Sequence, residues 1–171
     1  MTASNLQAAQ APLKQHYQQQ PEAAMVTLLA EGTLGDKVAC SVANGRASIE
    51  AGLHPATGGT GQLACAGDML LEALVACAGV TLKSVATTIG ITVDYGVIRA
   101  EGDLDFRGTL GVHNDALVGF RAIRLLVELD TDASPQQIDK LILLTKRYSV
   151  IYQTLQQSPN LALSIDTLTA S

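Results

Sequence analysis

Residues 63–90 read LACAGDMLLEALVACAGVTLKSVATTIG, and this stretch decides the fold. From Met69 to Leu82 nearly every position is apolar, with Glu72 as the interruption, Asp68 just before the run and Lys83 just after it. The run is too short and too interrupted for a membrane span, which needs about 20 predominantly apolar residues. Alanine and leucine dominate and proline is absent, so the stretch predicts a helix. A helix that is apolar all round belongs in the middle of a fold. Asp68 suits the positive end of the helix dipole, and Gly90 supplies the stop. Cys77 falls at the centre.

Around that helix the composition sets bounds. The chain has 171 residues, 47% hydrophobic and 16% charged, which suits one globular domain with a buried core. A net charge of -5 without any Lys/Arg cluster argues against nucleic acid or an anionic membrane surface as partner. Two Phe and no Trp remove the usual base-stacking platforms. The three cysteines are unevenly spaced and make no disulfide framework. The N-terminal MTASNLQAAQ has neither a basic nor an apolar signal region, so the expectation is a cytoplasmic protein with reduced thiols.

Residues 1–23 form a polar, Gln- and Ala-rich segment in which Asn5 to Gln20 suits a short helix before Pro21; residues 24–171 are then a single domain. Ala24 to Leu34 reads as a strand, and Lys37 to Ala43 alternates Val38, Cys40 and Val42 on one face. Asn44-Gly45 suits a two-residue hairpin turn, with Arg46 to Gly52 returning. His54 to Gly61 is a loop by its Pro and Gly content; no phosphate-binding motif accompanies its glycines. After the central helix, Ile91, Val93, Tyr95 and Val97 alternate in a strand that continues toward Phe106, Gly108 to Leu117 is loop-like, and Ala122 to Asp130 alternates again. Ser134-Pro135-Gln136-Gln137 starts a second long helix running to Gln157, with Ile138, Leu141, Ile142, Thr145, Ser149, Tyr152 and Leu155 on its inward stripe. Leu161 to Leu168 is a last short strand. The order β-β-β-α-β-β-α-β predicts an α+β fold with a mostly antiparallel sheet.

Cysteine is among the most buried residue types, so periodicity alone makes Cys77 a small core side chain. A reactive Cys77 needs a partner from elsewhere, because it lies too far along its own helix to use that helix's dipole. Arg46 and His54 are the candidates by chain order. Cys40 reads as an inward strand residue and Cys65 as a thiol just before the helix. No Cys-x-x-Cys occurs and the histidines are scattered, so neither a metal site nor a cofactor is expected. Glu72 must be paired or lie at an interface, because an unpaired buried carboxylate is costly.

The segment AGDMLLEALVACAGVTLKSVA, with Asp68, two leucines, Ala73-Leu74 and Cys77, resembles the first cysteine helix of the OsmC/Ohr family of osmotically induced and organic hydroperoxide resistance proteins. AGLHPATGG, residues 51–59, resembles the loop that leads into it, and RYSVIYQTL, Arg147 to Leu155, resembles the family's second cysteine motif. The resemblance implies an OsmC-like α+β domain in an intertwined homodimer with two active sites at the interface. It implies hydroperoxide reduction with Cys77 as the attacking thiol, an organic hydroperoxide as substrate and a dithiol as reductant. Asp68 and Ser149 complete the candidate site. Ser149 stands where the second cysteine would be, so an external thiol must resolve the oxidised Cys77. The organic hydroperoxide branch carries an arginine where this chain has EGTLGDK, Glu31 to Lys37, and a glutamate where this chain has Gly67 beside Asp68. The alternatives are a non-catalytic dimer of the same fold that binds an apolar small molecule at the interface, and a structural dimer without pocket chemistry.

Overall fold

The computed structural model describes residues 2–35, 38–43 and 48–167. The chain opens with α1 (Ala3–Gln19), capped by the Thr2 side chain accepting from the Asn5 N–H. Leu6 and Gln10 are its half-buried positions. A short turn of helix over Pro21–Ala24 follows. The strand expected from Ala24 forms only at its end, as β1 (Glu31–Leu34). Met25 and Leu28 before it are 84% and 87% exposed. β2 (Ala39–Ala43) and β3 (Ser48–Gly52) continue an antiparallel meander, with Leu34 opposite Cys40 and Cys40 opposite Ala51. The Asn44-Gly45 turn and Arg46 lie outside the described residues. The two-residue β4 (Ala64–Cys65) adds parallel to β3, completing a four-stranded sheet.

The central helix is α2 (Ala66–Ile89), with Asp68 in its first turn. It ends at Gly90, whose φ of 75° lies in the left-handed region that favours glycine. Gly90 and Ile91 both donate their N–H to the Ala86 carbonyl. At 24 residues the helix is, by length and composition, long enough to cross a membrane, which corrects the estimate from the shorter Met69–Leu82 run. Its apolar character has a use inside the fold, since it packs on both later helices and on the second sheet.

The second sheet is a long antiparallel hairpin of β5 (Tyr95–Leu104) and β6 (Phe120–Asp130), joined through the short α3 (Phe106–Thr109). β5 starts later than the alternation implied because Ile91 and Val93 turn into the core instead of pairing. The capping box at Ser134 and Gln137 forms as expected and starts α4 (Pro135–Tyr148). The helix does not run unbroken to Gln157: it breaks at Ser149, and α5 (Val150–Gln156) follows as a separate helix. The last expected strand also does not form over its described residues, 161–167. Leu161, Leu163 and Ile165 are 89%, 88% and 78% exposed, and no strand among the described residues offers them a ladder. The architecture is α+β, with mostly antiparallel strands in two small sheets and the long helices packed beside them.

The core sits where α2, α4 and the start of β5 meet, and it consists of Leu82, Val85, Ala86, Ile91, Val93 and Leu141. Lys83 lies beside it and donates from Nζ to the Val93 carbonyl at 2.7 Å, so its stem covers apolar surface while its charge stays bonded. Leu141 is 0% exposed. Its truncation, Leu141→Ala, is expected to cost about 2–5 kcal/mol. Urea unfolding followed by circular dichroism measures this; a loss below about 1 kcal/mol would show that α4 is not the helix that closes the core.

Candidate functional site

The break in the second long helix builds the site. Ser149 takes an extended conformation, φ -78° and ψ 110°, donating its N–H to the Thr145 carbonyl to close α4. Its own carbonyl accepts from the Gln153 N–H at 2.9 Å to open α5. A serine at such a position ordinarily turns its hydroxyl onto the first amides of its own helix. Here no such cap bond forms. The hydroxyl instead donates to Cys77 Sγ at 3.4 Å across the α2–α4 seam, and Ser149 is 1% exposed.

Two effects act on the Cys77 thiol in opposite directions. Burial pushes it up, because desolvation disfavours the thiolate. The Ile151 N–H, the Ser149 hydroxyl, the Val150 N–H and the Thr81 hydroxyl favour the thiolate and outweigh the burial, holding the thiol below its ordinary value. Cys77 lies too far along α2 to use that helix's own N-terminus, but the first amides of α5 are brought in from another part of the chain. Thr81 follows Cys77 at the i+4 spacing that places two side chains on one helix face, the one signal in the sequence that pointed to it.

The other candidates lie elsewhere. His54 stacks on Phe106, with ring centroids 4.8 Å apart and planes 15° from parallel, and its Nδ1 accepts from the Ala56 N–H at 3.0 Å. It shares a separate cleft with Cys65, Asp68 and Phe120. Asp68 is nine residues before Cys77, about 13 Å along the helix axis. Within one chain, Cys77 and Ser149 are therefore brought together and Asp68 is not. Cys65 caps α2, Cys40 is half-buried in β2, and all three cysteines are free. Glu72 is exposed. Among the described residues no three His, Cys, Asp or Glu side chains gather closely enough to hold a metal ion.

Two cavities lie along α2, one before and one after Cys77 in the chain, and Cys77 itself lines neither. Toward the N-terminal end of α2, one of about 570 Å³ is walled by Leu70, Leu74, Ile123, Leu125 and Tyr152. Toward the C-terminal end, another of about 560 Å³ opens beneath α1, with Thr81 in its wall.

The family model described as OsmC-like protein matches residues 59–164, more than half of the chain and the part that contains α2 to α5. No curated protein matches. Among solved structures, the chain is similar to the OsmC-like protein of Mycoplasma pneumoniae, at 20% identity and a TM-score of 0.65, over 78% of this chain and 89% of that one. It is similar to an organic hydroperoxide resistance protein OsmC of Legionella pneumophila, at 14% identity and a TM-score of 0.61, over 78% and 92%. It is also similar to the organic hydroperoxide resistance protein OhrB of Bacillus subtilis, at 18% identity and a TM-score of 0.52, over 79% and 94%. At these identities the likeness to the solved structures is one of fold.

A thiol held below its ordinary pKa is thiolate over a wider range of pH, so its alkylation rate should level off at lower pH than that of a free cysteine. Removing the hydroxyl with Ser149→Ala should move that inflection upward by about one unit, in keeping with the loss of one hydrogen bond to a charged group. Iodoacetamide labelling of the Cys77 peptide across pH reads both curves; coincident curves would show that Ser149 does not tune the thiol.

Proposed function

This chain belongs to the OsmC-like protein family, and we propose that it reduces hydroperoxides with Cys77 as the attacking thiol, Ser149 as its hydrogen-bond donor and an external thiol as resolver. The carrying observation is the Ser149 hydroxyl on Cys77 Sγ at 3.4 Å, at a thiol held low by neighbouring donors. A role in peroxide or stress response fits the family to which the chain belongs.

In the first step the Cys77 thiolate attacks the terminal oxygen of the hydroperoxide. A sulfur–oxygen bond forms, the oxygen–oxygen bond breaks, and the alcohol leaves with a proton from solvent. Cys77 is oxidised by two electrons to a sulfenic acid. Ser149 has no sulfur with which to condense. A small thiol or dithiol therefore attacks Cys77, expelling water and forming a mixed disulfide, and a second thiol releases Cys77 and the oxidised reductant. The apolar cavity beside Leu70 and Leu74 suits the body of an organic hydroperoxide. Asp68 enters only as a first-turn carboxylate that stabilises the N-terminal end of α2.

The proposed working unit is a homodimer. Two extended apolar stretches, around Leu28 and around Leu161 to Ile165, are left bare by a single chain, and a second copy would cover them. A second reading draws on the same cavity: a non-catalytic dimer would bind an apolar small molecule there.

The deciding assay adds a small excess of cumene hydroperoxide to the reduced protein and traps sulfenic acid with dimedone. Mass spectrometry then reads Cys40, Cys65 and Cys77 beside a Cys77→Ser control. The peroxidase reading expects rapid trapping at Cys77 alone. A silent Cys77, with an apolar molecule copurifying in native mass spectrometry, would replace it with the binding reading.

A further inference from the structure

We propose that the cavity beneath α1 binds an amphiphilic carboxylate, a small molecule with an apolar body and one anionic head, of the fatty-acid class. The site is separate from the chemistry of Cys77 and stands whether or not that thiol reduces peroxides.

α1 covers a space that it does not fill. Its inward positions recur at helical spacing as Leu6, Gln10, Leu13 and Tyr17. Leu6 and Gln10 are half-buried, Leu13 and Tyr17 are 50% and 38% exposed, and no residue of the helix is fully buried. Between α1 and the C-terminal half of α2 lies the cavity of about 560 Å³, a size that suits a small-molecule site. Val80, Val85 and Leu144 give it apolar walls, and Tyr148 offers a hydroxyl. An apolar body in this space supplies α1 with the packing contacts that its glutamines and alanines do not make with α2. α1 also lies outside the residues 59–164 matched by the family model, so the site is roofed by an element additional to the shared domain.

Charge selects the head group. Lys14, one turn after Gln10, is the one charged side chain in the cavity wall. The ion pairs among the described residues belong to Arg107, Arg121 and Arg124, so Lys14 is in none of them. The surroundings act in the same direction. The segments that enclose the cavity, residues 1–21, 73–93 and 140–165, contain none of the chain's sixteen Asp and Glu and five of its eleven Lys and Arg. The acids that bound these segments, Glu22, Glu72, Asp94 and Asp139, lie more than one helical turn along the chain from the nearest wall residue. Lys83 is committed to the Val93 carbonyl, but the Arg147 guanidinium lies 5.5 Å over the ring of Tyr148, itself in the wall. In a protein of net charge -5 this corner is cationic, and a carboxylate at Lys14 is its complement. The cavity at the other end of α2 makes no such selection, because its one charged side chain, Arg121, is 3.6 Å from the Asp105 carboxylate.

The test titrates straight-chain carboxylic acids of eight to sixteen carbons, and the matching alcohols, into the intact protein below their micelle concentrations. Native mass spectrometry reads stoichiometry and affinity, and hydrogen exchange locates the ligand. At the best chain length one acid should bind per chain, about fivefold tighter than its alcohol, the effect of one exposed ion pair. Lys14 is exposed, so Lys14→Gln should fold normally and bring the acid down to the affinity of the alcohol. Ser84→Trp, which fills the space from the α2 wall, should weaken both. Exchange should slow on binding over residues 3–19 and 80–89. Equal affinity for acid and alcohol at every length, or a preference that survives in Lys14→Gln, would overturn the proposal. So would slowed exchange confined to the segments around Leu70 and Tyr152, or an α1 equally protected without ligand, which would show a second copy of the chain in that space.

Discussion

The hydroxyl of Ser149 can satisfy either its own helix or the thiol of Cys77, and in this fold it satisfies the thiol. The choice requires the backbone to leave helical geometry at Ser149, so that its side chain turns into the seam and the first amides of α5 turn with it. The break costs the continuity of one helix and leaves the serine without its usual capping bond. The return is a set of donors around a sulfur that burial alone would keep protonated. Hydrogen bonds to a charged group contribute about 1.5–3 kcal/mol each, enough for a few of them to outweigh partial desolvation.

The packing on either side holds this arrangement in place. Leu141 and Thr145 precede Ser149 on the same face of α4 and are buried against α2, which fixes where α4 ends. Thr145 Oγ1 is buried without a hydrogen-bond partner, so the seam beside the thiol keeps one unused polar group. On the proposed reading Ser149 stands in a resolving cysteine's place: its oxygen cannot close a disulfide after oxidation, but its hydroxyl still donates to Cys77 Sγ.

Much of the fold was legible in the sequence, and the misses have common causes. The central helix, its Gly90 stop and the capping box at Ser134 follow from local chemistry and form as expected. Of the expected inward stripe, Leu141, Thr145 and Ser149 are buried, Ile138 and Tyr152 are half-buried, and Ile142 and Leu155 are exposed. The break at Ser149 and the packing on α2 leave the stripe narrower than the spacing implied. The break at Ser149 was hidden because α4 and α5 keep one apolar periodicity across it, and neither Pro nor Gly marks the spot. The strand expected at Leu161 has the right alternation and the stretch from Ala24 is apolar enough, but a ladder also needs a neighbour, which local sequence does not reveal. In the site, Cys77 and Ser149 were found through the resemblance of two motifs. Thr81 and the α5 amides were missed because they act through tertiary position, and Asp68 was grouped with Cys77 by motif although a rigid helix separates them.

The central claim is that position 149 is the resolver's place, set against an attacking thiol at Cys77. It is tested most directly by returning sulfur to that place with Ser149→Cys. The variant is treated with one equivalent of hydroperoxide and its disulfides are mapped by mass spectrometry of the unreduced digest. The account predicts a bond between positions 77 and 149, formed with the loss of two free thiols. An oxidised variant without that bond, or with position 77 still reduced, would contradict it.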